Sequence, residues 1–125
     1  MRILIVDDEH DVKPLFQQRF RREIKSEEIQ MDFVYSGEEA LEHLKKNGHQ
    51  NSLILSDINM PGMTGLQLLG QIRKMYAPPP PVIMMVTAYG DQDNRRSAET
   101  LGADDFLTKP VDFKLLKEKI KALSL

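Results

Sequence analysis

Short apolar runs recur along the chain and alternate with segments of helical periodicity. The runs lie at residues 3–6, 31–35, 53–55, 82–86 and 106–107. The first, third and fourth runs contain no alternating polar positions, which is typical of strands covered on both faces of a sheet. The pattern therefore predicts five strands, with helices in the segments between and after them.

Apolar residues in the intervening segments recur three or four positions apart, as they do on one face of a helix. The segment 92–101 has the weakest such stripe, little more than Ala98 and Leu101. The clear stripes are Val12, Leu15, Phe16 and Phe20; Ala40, Leu41 and Leu44; Leu66, Leu69 and Ile72; and Phe113, Leu116, Ile120 and Leu123. Five helices are therefore expected.

Capping signals mark three of these helix starts. Ser36 with Glu39, and Thr64 with Gln67, have the spacing of a capping box, in which two side chains satisfy free backbone N–H groups reciprocally. Asp91 is a plausible cap for the weak helix. Strand and helix thus alternate five times, which predicts an α/β fold with a parallel sheet, right-handed crossovers and helices on both faces.

Composition narrows the class of protein. The chain has 125 residues, which fits one domain, and its net charge of -2 gives no sign of a basic nucleic-acid surface. It contains no cysteine, which excludes disulfides and thiolate metal sites and favours a reducing compartment. The first apolar run is too short for a signal peptide or membrane span. We expect one cytoplasmic domain over residues 1–125, with no output domain in this chain and no membrane or direct nucleic-acid contact.

Four prolines at 78–81 interrupt the pattern before the fourth strand. Proline supplies no backbone donor and favours extended structure. We interpret this run as a stiff connection into the strand.

Reactive polar side chains follow four of the predicted strands. Strands of a parallel sheet end at the same edge, and functional sites collect there. The residues at these ends are Asp7, Asp8 and Glu9 after the first strand, Asp57 after the third, Thr87 after the fourth, and Thr108 and Lys109 after the fifth. We therefore expect three aspartates, a hydroxyl and a lysine to converge at one edge.

Such a cluster of carboxylates needs a cation. One like-charge pair at 4 Å costs roughly 4 kcal/mol at an effective dielectric constant near 20. The ligands are all hard oxygens without histidine or cysteine, which favours Mg²⁺, with Mn²⁺ as the alternative. A lysine and a hydroxyl suit a bound phosphoryl group, and Asp57 is then a candidate nucleophile that forms an acyl phosphate.

Four motifs occur together, in order: "VDDE" at 6–9, "SDINMPGMTG" at 56–65, "TA" at 87–88 and "GADDFLTKP" at 102–110. With these motifs, the sequence resembles a response-regulator receiver domain of bacterial two-component signalling over essentially all of residues 1–125. The resemblance implies a doubly wound, flavodoxin-like fold similar to that of the chemotaxis regulators. Its five-stranded parallel sheet would have the order 2-1-3-4-5, with helices on both faces.

The resemblance also implies a metal site and an acceptor. Asp57 corresponds to the phosphoacceptor. Asp8 and Asp57 would bind Mg²⁺ directly, the backbone carbonyl of Asn59 would be a third ligand, and Asp7 would act through a bound water.

Further roles are implied around this acceptor. Lys109 would pair with phosphoryl oxygens, and Thr87 would hydrogen-bond one of them and move its loop inward. Phe106 lies where the family has a switching aromatic residue, more often tyrosine, and it is equally compatible with an ordinary core position. Asn59 and Tyr89 flank the expected path of water and would tune hydrolysis of the acyl phosphate.

The function implied is a signalling switch rather than an enzyme. A sensor histidine kinase or phosphotransfer protein would phosphorylate Asp57, and the chain would contribute only self-phosphorylation and slow autodephosphorylation. The change would reach a downstream effector through the face formed by the fourth predicted helix, the fifth strand and the last helix. A phosphorylation-dependent dimer is one form that this output can take.

Two other classes of protein use related chemistry or the same fold. An aspartyl phosphatase or phosphotransferase commonly has a second aspartate two residues after the nucleophile, where this chain has Asn59. A non-catalytic binding module would not need the full set of acids, threonine and lysine. A flavin carrier would need a hydroxyl- and glycine-rich loop after the first strand. The residues therefore favour the switch.

Overall fold

The sheet and its helices account for most of the chain. The computed structural model describes residues 1–48, 52–76, 81–88 and 90–123. The strands there are β1 (Arg2–Val6), β2 (Gln30–Val34), β3 (Ser52–Asp57), β4 (Val82–Thr87) and β5 (Asp105–Thr108). The helices are α1 (Val12–Arg19), α2 (Arg21–Lys25), α3 (Gly37–Asn47), α4 (Gly65–Met75), α5 (Gln92–Thr100) and α6 (Phe113–Lys121). Within this part of the chain, no helix is long and apolar enough to cross a membrane.

The five strands form one parallel sheet in the order β2-β1-β3-β4-β5. Val6 lies opposite Ser56, and Thr87 lies opposite Thr108. The carboxyl ends of the inner strands therefore stand side by side at one edge. The fold class and the strand order are confirmed.

Two buried layers cover the two faces of the sheet. Alternate residues of a strand point to opposite faces, so each strand contributes to both layers. Helices α3, α4 and α5 cover one layer, which includes Leu4, Val6, Ile54, Ile83, Met85, Leu44, Leu69 and Ala98. Helices α1 and α6 cover the other, which includes Ile3, Ile5, Leu53, Leu55, Met84, Phe16, Leu116 and Ile120. The uninterrupted apolar runs are thus covered on both sides, as predicted.

The segment predicted as the first helix is two helices with a break at Phe20. This residue ends α1 and precedes α2, and its φ of -106° and ψ of 19° lie outside helical geometry. Its ring is completely buried and packs against Phe16 and Phe113. Leu15, expected on the apolar face, is 42% exposed. With only eight residues in α1, Phe16 and Phe20 fill the contact with the sheet, and Leu15 is left at the rim.

The predicted caps differ in how completely they form. Thr64 Oγ1 accepts from the N–H of Gln67 at 3.2 Å, and Gln67 Oε1 accepts from the N–H of Thr64 at 2.9 Å. Asp91 also caps α5. Ser36 Oγ accepts from the N–H of Glu39, but its hydroxyl then donates to the Glu39 carboxylate at 3.3 Å. Only half of the predicted box at Ser36 therefore forms, since this hydroxyl competes with the backbone N–H for the same carboxylate.

Arg73 links α4 to the segments that lead into the amino-terminal ends of β4 and β5. Its guanidinium donates to the carbonyls of Gly102 at 3.0 Å and Pro81 at 2.9 Å, and to Asp104 Oδ2 at 2.7 Å. The same Asp104 oxygen accepts from the N–H of Ile83 at 2.8 Å. Residues 78–80 lie outside the described residues, so the stiff connection predicted there stays a prediction.

We expect Arg73→Met to destabilise the domain by about 2–4 kcal/mol, because it removes three hydrogen bonds from a side chain that is only 10% exposed and takes this donor away from the carbonyls of Gly102 and Pro81. Urea unfolding measures the difference. Lys74→Met is the control, since Lys74 is the exposed neighbour in α4. Equal midpoints for the two variants would contradict this role for Arg73.

Candidate functional site

Three aspartates meet at the carboxyl edge of the sheet. One carboxylate oxygen from each of Asp7, Asp8 and Asp57 lies within 4.8 Å of the other two. Asp7 and Asp8 follow β1, and Asp57 is the last residue of the neighbouring strand β3. Asp57 is only 4% exposed, whereas the other two are half-buried. The structure therefore brings these side chains together as the strand ends predicted.

Lys109 supplies a positive charge to this cluster. Its Nζ lies 2.7 Å from Asp57 Oδ2, and its backbone N–H donates to the carbonyl of Thr87 at 2.9 Å. Burial alone would lower the pKa of Lys109, but the hydrogen bond and charge of Asp57, with smaller contributions from Asp7 and Glu9, raise it above its usual value. The ammonium therefore stays protonated beside the buried carboxylate.

Asp7 is the acid whose ionisation the fold opposes. Burial raises the pKa of its carboxyl above the ordinary value of 3.8. The N–H of Glu9, which donates to Asp7 Oδ1 at 2.9 Å, partly offsets this rise, and the charge of Asp57 adds to it. Removal of one negative charge, or addition of a cation, should therefore reduce the electrostatic repulsion among the three carboxylates.

This donor set fits a hard divalent cation. The grouped donors are carboxylate oxygens, one of them from a buried residue, and no histidine or cysteine joins the group among the residues that the structure describes. Three carboxylates and one lysine leave an excess of negative charge around the pocket. Oxygen ligands of this type suit Mg²⁺ or Mn²⁺. The structure thus supports a site for a hard divalent ion.

Asp7→Asn is expected to stabilise the domain in the presence of a chelator at neutral pH. Because the pKa of Asp7 is raised on folding, its ionisation subtracts stability as pH rises through the folded pKa. The asparagine oxygen can still accept from the N–H of Glu9, but it carries no charge. In thermal unfolding with EDTA, the advantage of the variant should grow from acid to neutral pH and shrink when Mg²⁺ is added. The exposed Asp11→Asn should behave as the wild type at each pH, and the same behaviour in Asp7→Asn would contradict the expectation.

Thr87 lies beside the cluster but does not contact it through its hydroxyl. It ends β4, is 3% exposed, and its Oγ1 donates to the carbonyl of Leu107 at 3.5 Å. A hydrogen bond of that length is weak. The Thr87 hydroxyl can therefore give up this hydrogen bond and donate to another acceptor with little loss of free energy.

The other predicted site residues have different surroundings. Asn59 is exposed in the loop after β3, between the buried Ile58 and Met60, which anchor that loop in the core. Phe106 is half-buried on β5 and packs against the core, with the guanidinium carbon of Arg95 4.8 Å from its ring centroid. Tyr89 lies outside the described residues, so its predicted role remains a prediction.

Gly65 is a site residue that the sequence reasoning missed. Its N–H donates to the carbonyl of Ile58 at 2.8 Å. A Cβ at this position would overlap the carbonyl oxygen of Asp57 and lie 2.7 Å from Ile58 Cα. The helix backbone therefore touches the end of β3 directly. In the sequence, Gly65 is simply the residue after the capping Thr64. A capping box does not require glycine at that position, so the pattern gave no reason to predict a role for it.

A groove of about 610 Å³ leads from the cluster along α1 and α6. Asp57 and Lys109 are among its lining residues, and Val12, Phe16 and Phe113 contribute apolar walls. The groove therefore places a largely apolar surface beside Asp57.

The parallel sheet and its acidic edge together define a phosphoacceptor domain of the kind used in two-component signalling. The chain belongs to the response regulator receiver domain family, whose sequence pattern matches residues 3–121. Members of this family are signalling domains that act as phosphoacceptor switches.

The relatives agree with this assignment. The chain is 33% identical to Response regulator RppA of Synechocystis sp., over 98% of this chain and 50% of that protein. It is 35% identical to Transcriptional regulatory protein ResD of Bacillus subtilis, over 98% of this chain and 47% of that protein. The chain thus spans about half the length of these curated relatives.

A solved structure extends the comparison to a complex. The receiver domain of the Saccharomyces cerevisiae response regulator Ssk1 was crystallised with the histidine phosphotransfer protein Ypd1. It is similar to this chain with a TM-score of 0.81 and 28% identity, over 97% of this chain and 86% of that one.

Proposed function

We propose that Asp57 is the phosphoacceptor and that Mg²⁺, or Mn²⁺ in its place, is required for the transfer. Asp8, Asp57 and the backbone carbonyl of Asn59 would hold the ion, and Asp7 would contact it through a water. The observation that carries this proposal is the buried Asp57 carboxylate, 2.7 Å from the ammonium of Lys109 and grouped with two further aspartates.

The reaction is a transfer between two side chains. A carboxylate oxygen of Asp57 forms a bond to phosphorus while the P–N bond of a phosphohistidine breaks, and the histidine nitrogen keeps the bonding electron pair. A bound divalent ion would supply neutralisation of the charge on the phosphoryl oxygens. Lys109 remains protonated through the transfer, since its pKa is raised, and can donate to one of those oxygens.

Thr87 would respond to the new group. A phosphoryl group adds strong acceptor oxygens beside it. Exchange of its 3.5 Å hydrogen bond to Leu107 for one to a phosphoryl oxygen would draw the end of β4 toward Asp57. Such an exchange shifts the balance between two conformations of the domain. Helix α5, β5 and α6 would then carry the change.

The donor would be a sensor histidine kinase or a histidine phosphotransfer protein in the cytoplasm. The similarity to a receiver domain crystallised with a phosphotransfer protein supports this class of partner. The apolar groove beside Asp57 and Lys109 offers a path for the donor histidine. We further propose that residues 1–125 act as one receiver domain whose output is an effector contact or a phosphorylation-dependent dimer.

Hydrolysis of the acyl phosphate would return the switch to its resting state. We propose slow autodephosphorylation, with Asn59 and Tyr89 setting its rate from positions that flank the path of water. This activity serves signalling and does not make the domain an enzyme with its own substrate turnover.

The proposal is tested by chemical mapping of the acceptor. The purified domain is incubated with acetyl phosphate and Mg²⁺, the acyl phosphate is reduced with borohydride, and the modified peptide is identified by mass spectrometry. Modification at Asp57 that EDTA prevents is the expected result. Modification at another residue, or equal modification with EDTA, would refute the proposal. Steady-state turnover of a phosphate ester would instead favour an aspartyl phosphatase.

A further inference from the structure

The outer face of Phe106 is covered by an arginine of the preceding helix. The guanidinium carbon of Arg95 lies 4.8 Å from the ring centroid, within the range of a cation–π contact. Arg95 Nε also lies 3.6 Å from Glu99 Oε1, one turn further along α5. We propose that Arg95 is a positioning residue that holds Phe106 in the unphosphorylated arrangement and thereby opposes phosphorylation of the domain. This inference rests on the proposed function of Asp57.

Phe106 and Thr87 lie on the same face of the sheet. Met85 is opposite Phe106 and Thr87 is opposite Thr108 in the pairing of β4 with β5. Because alternate residues share a face, the side chains of Thr87 and Phe106 are diagonal neighbours. A shift of Thr87 toward Asp57 therefore changes the space beside the ring of Phe106.

Two kinds of contact fix the position of the Phe106 ring. Phenylalanine has no hydroxyl to hydrogen-bond at the surface, and the inner part of this ring packs against the core. The backbone of Phe106 is anchored separately, because its N–H donates to Asp105 Oδ1 at 2.8 Å and Asp105 Oδ2 pairs with Lys119 at 2.7 Å. The position of the ring thus depends on its packing and on Arg95.

By thermodynamic linkage, this contact would shift the equilibrium between the two conformations of the domain toward the unphosphorylated one. A contact made in one conformation lowers the affinity for any ligand that requires the other. At an exposed position, a cation–π contact corresponds to about a two- to fivefold change in an equilibrium. Removal of the guanidinium should therefore tighten binding of a phosphoryl mimic by about that factor.

The test measures binding of beryllofluoride, with Mg²⁺, to the complete domain. Arg95→Gln is expected to bind about two- to fivefold more tightly than the wild type, and Arg95→Lys should fall between them. Glu99→Gln removes the ion pair but keeps the stack, so its affinity should equal that of the wild type. Arg96→Gln, at the exposed neighbour in α5, serves as a charge-matched control. Circular dichroism checks that each variant is folded, and weaker binding by a folded Arg95→Gln would overturn the inference. If Arg95→Gln does not fold, Arg95→Lys and the chemical shifts of the wild type decide the outcome.

A second readout follows the contact itself. The ring current of Phe106 should shift the Arg95 side-chain protons upfield in the free domain, and saturation with beryllofluoride should remove this shift. In Phe106→Leu the upfield shift should be missing from the start. If wild type binds beryllofluoride while Arg95→Gln has unchanged affinity or the shift persists, the inference is overturned and the proposed function stands. If wild type fails to bind beryllofluoride, both are overturned.

Discussion

Asp57→Asn should abolish labelling by a small phosphodonor, with a decrease of at least about 100-fold, because an amide in place of the carboxylate cannot act as the nucleophile. The substitution is nearly isosteric, so the buried position at the end of β3 stays filled. The loss would therefore reflect the missing oxygen nucleophile rather than a cavity.

Labelling of Asp57→Asn is best compared with a second acid-to-amide change. Asp11 is exposed, and its side chain makes no capping hydrogen bond at the start of α1. Asp11→Asn should be labelled as fast as the wild type, and circular dichroism should show that both variants are folded. Undiminished labelling of folded Asp57→Asn would mean that the acceptor is another residue.

Gly65→Ala should reduce both the stability of the domain and the rate of Asp57 labelling, although it changes no charge. The added Cβ would overlap the carbonyl oxygen of Asp57 and lie 2.7 Å from Ile58 Cα, and both are backbone atoms that cannot rotate away. Either α4 or the end of β3 must move. Such overpacking costs about 1–3 kcal/mol, and a misplacement of 1 Å at a reacting group can reduce a rate about 100-fold.

Gly70→Ala is the matched control within the same helix. Its Cβ would have Leu101 Cδ2 as its nearest neighbour at 3.8 Å, an ordinary contact. Alanine is favoured over glycine in a helix by about 0.5–1 kcal/mol, so this variant should be at least as stable as the wild type and be labelled normally. Urea unfolding and the initial rate of labelling are measured for both. Gly65→Ala with normal stability and a normal rate would show that α4 does not position Asp57.

The sheet could be predicted from the sequence because its inner strands are uninterrupted apolar runs. The uninterrupted runs at 3–6, 53–55 and 82–86 contribute to the buried layers on both faces of the sheet, as is typical of the inner strands of a parallel sheet. The acidic cluster followed from this result, because residues directly after parallel strands share one edge. Asp57 and Lys109, far apart in the chain, are in contact for that reason.

Other features depend on distances that no local pattern encodes. In the sequence, Arg73 looks like an ordinary charged residue on the surface of a helix. Its three acceptors lie in other segments of the chain, which come close to it only when the domain is folded. The break at Phe20 coincides with a completely buried ring, and the apolar stripe continues through this position without any signal of a break. The close approach of Gly65 to Asp57 depends on the angle at which α4 leaves the loop. Arg95 and Phe106 likewise meet across two elements.

The most direct test of the central claim is the rate of Asp57 labelling as a function of Mg²⁺ concentration in the wild type and in Asp8→Asn. In the proposed function, the three grouped carboxylates form a metal site that makes Asp57 reactive. We therefore expect the wild-type rate to rise with Mg²⁺ and saturate, and Asp8→Asn to need at least about tenfold more Mg²⁺ for the same rate. A rate independent of Mg²⁺, or identical Mg²⁺ dependence in the two proteins, would contradict this metal site.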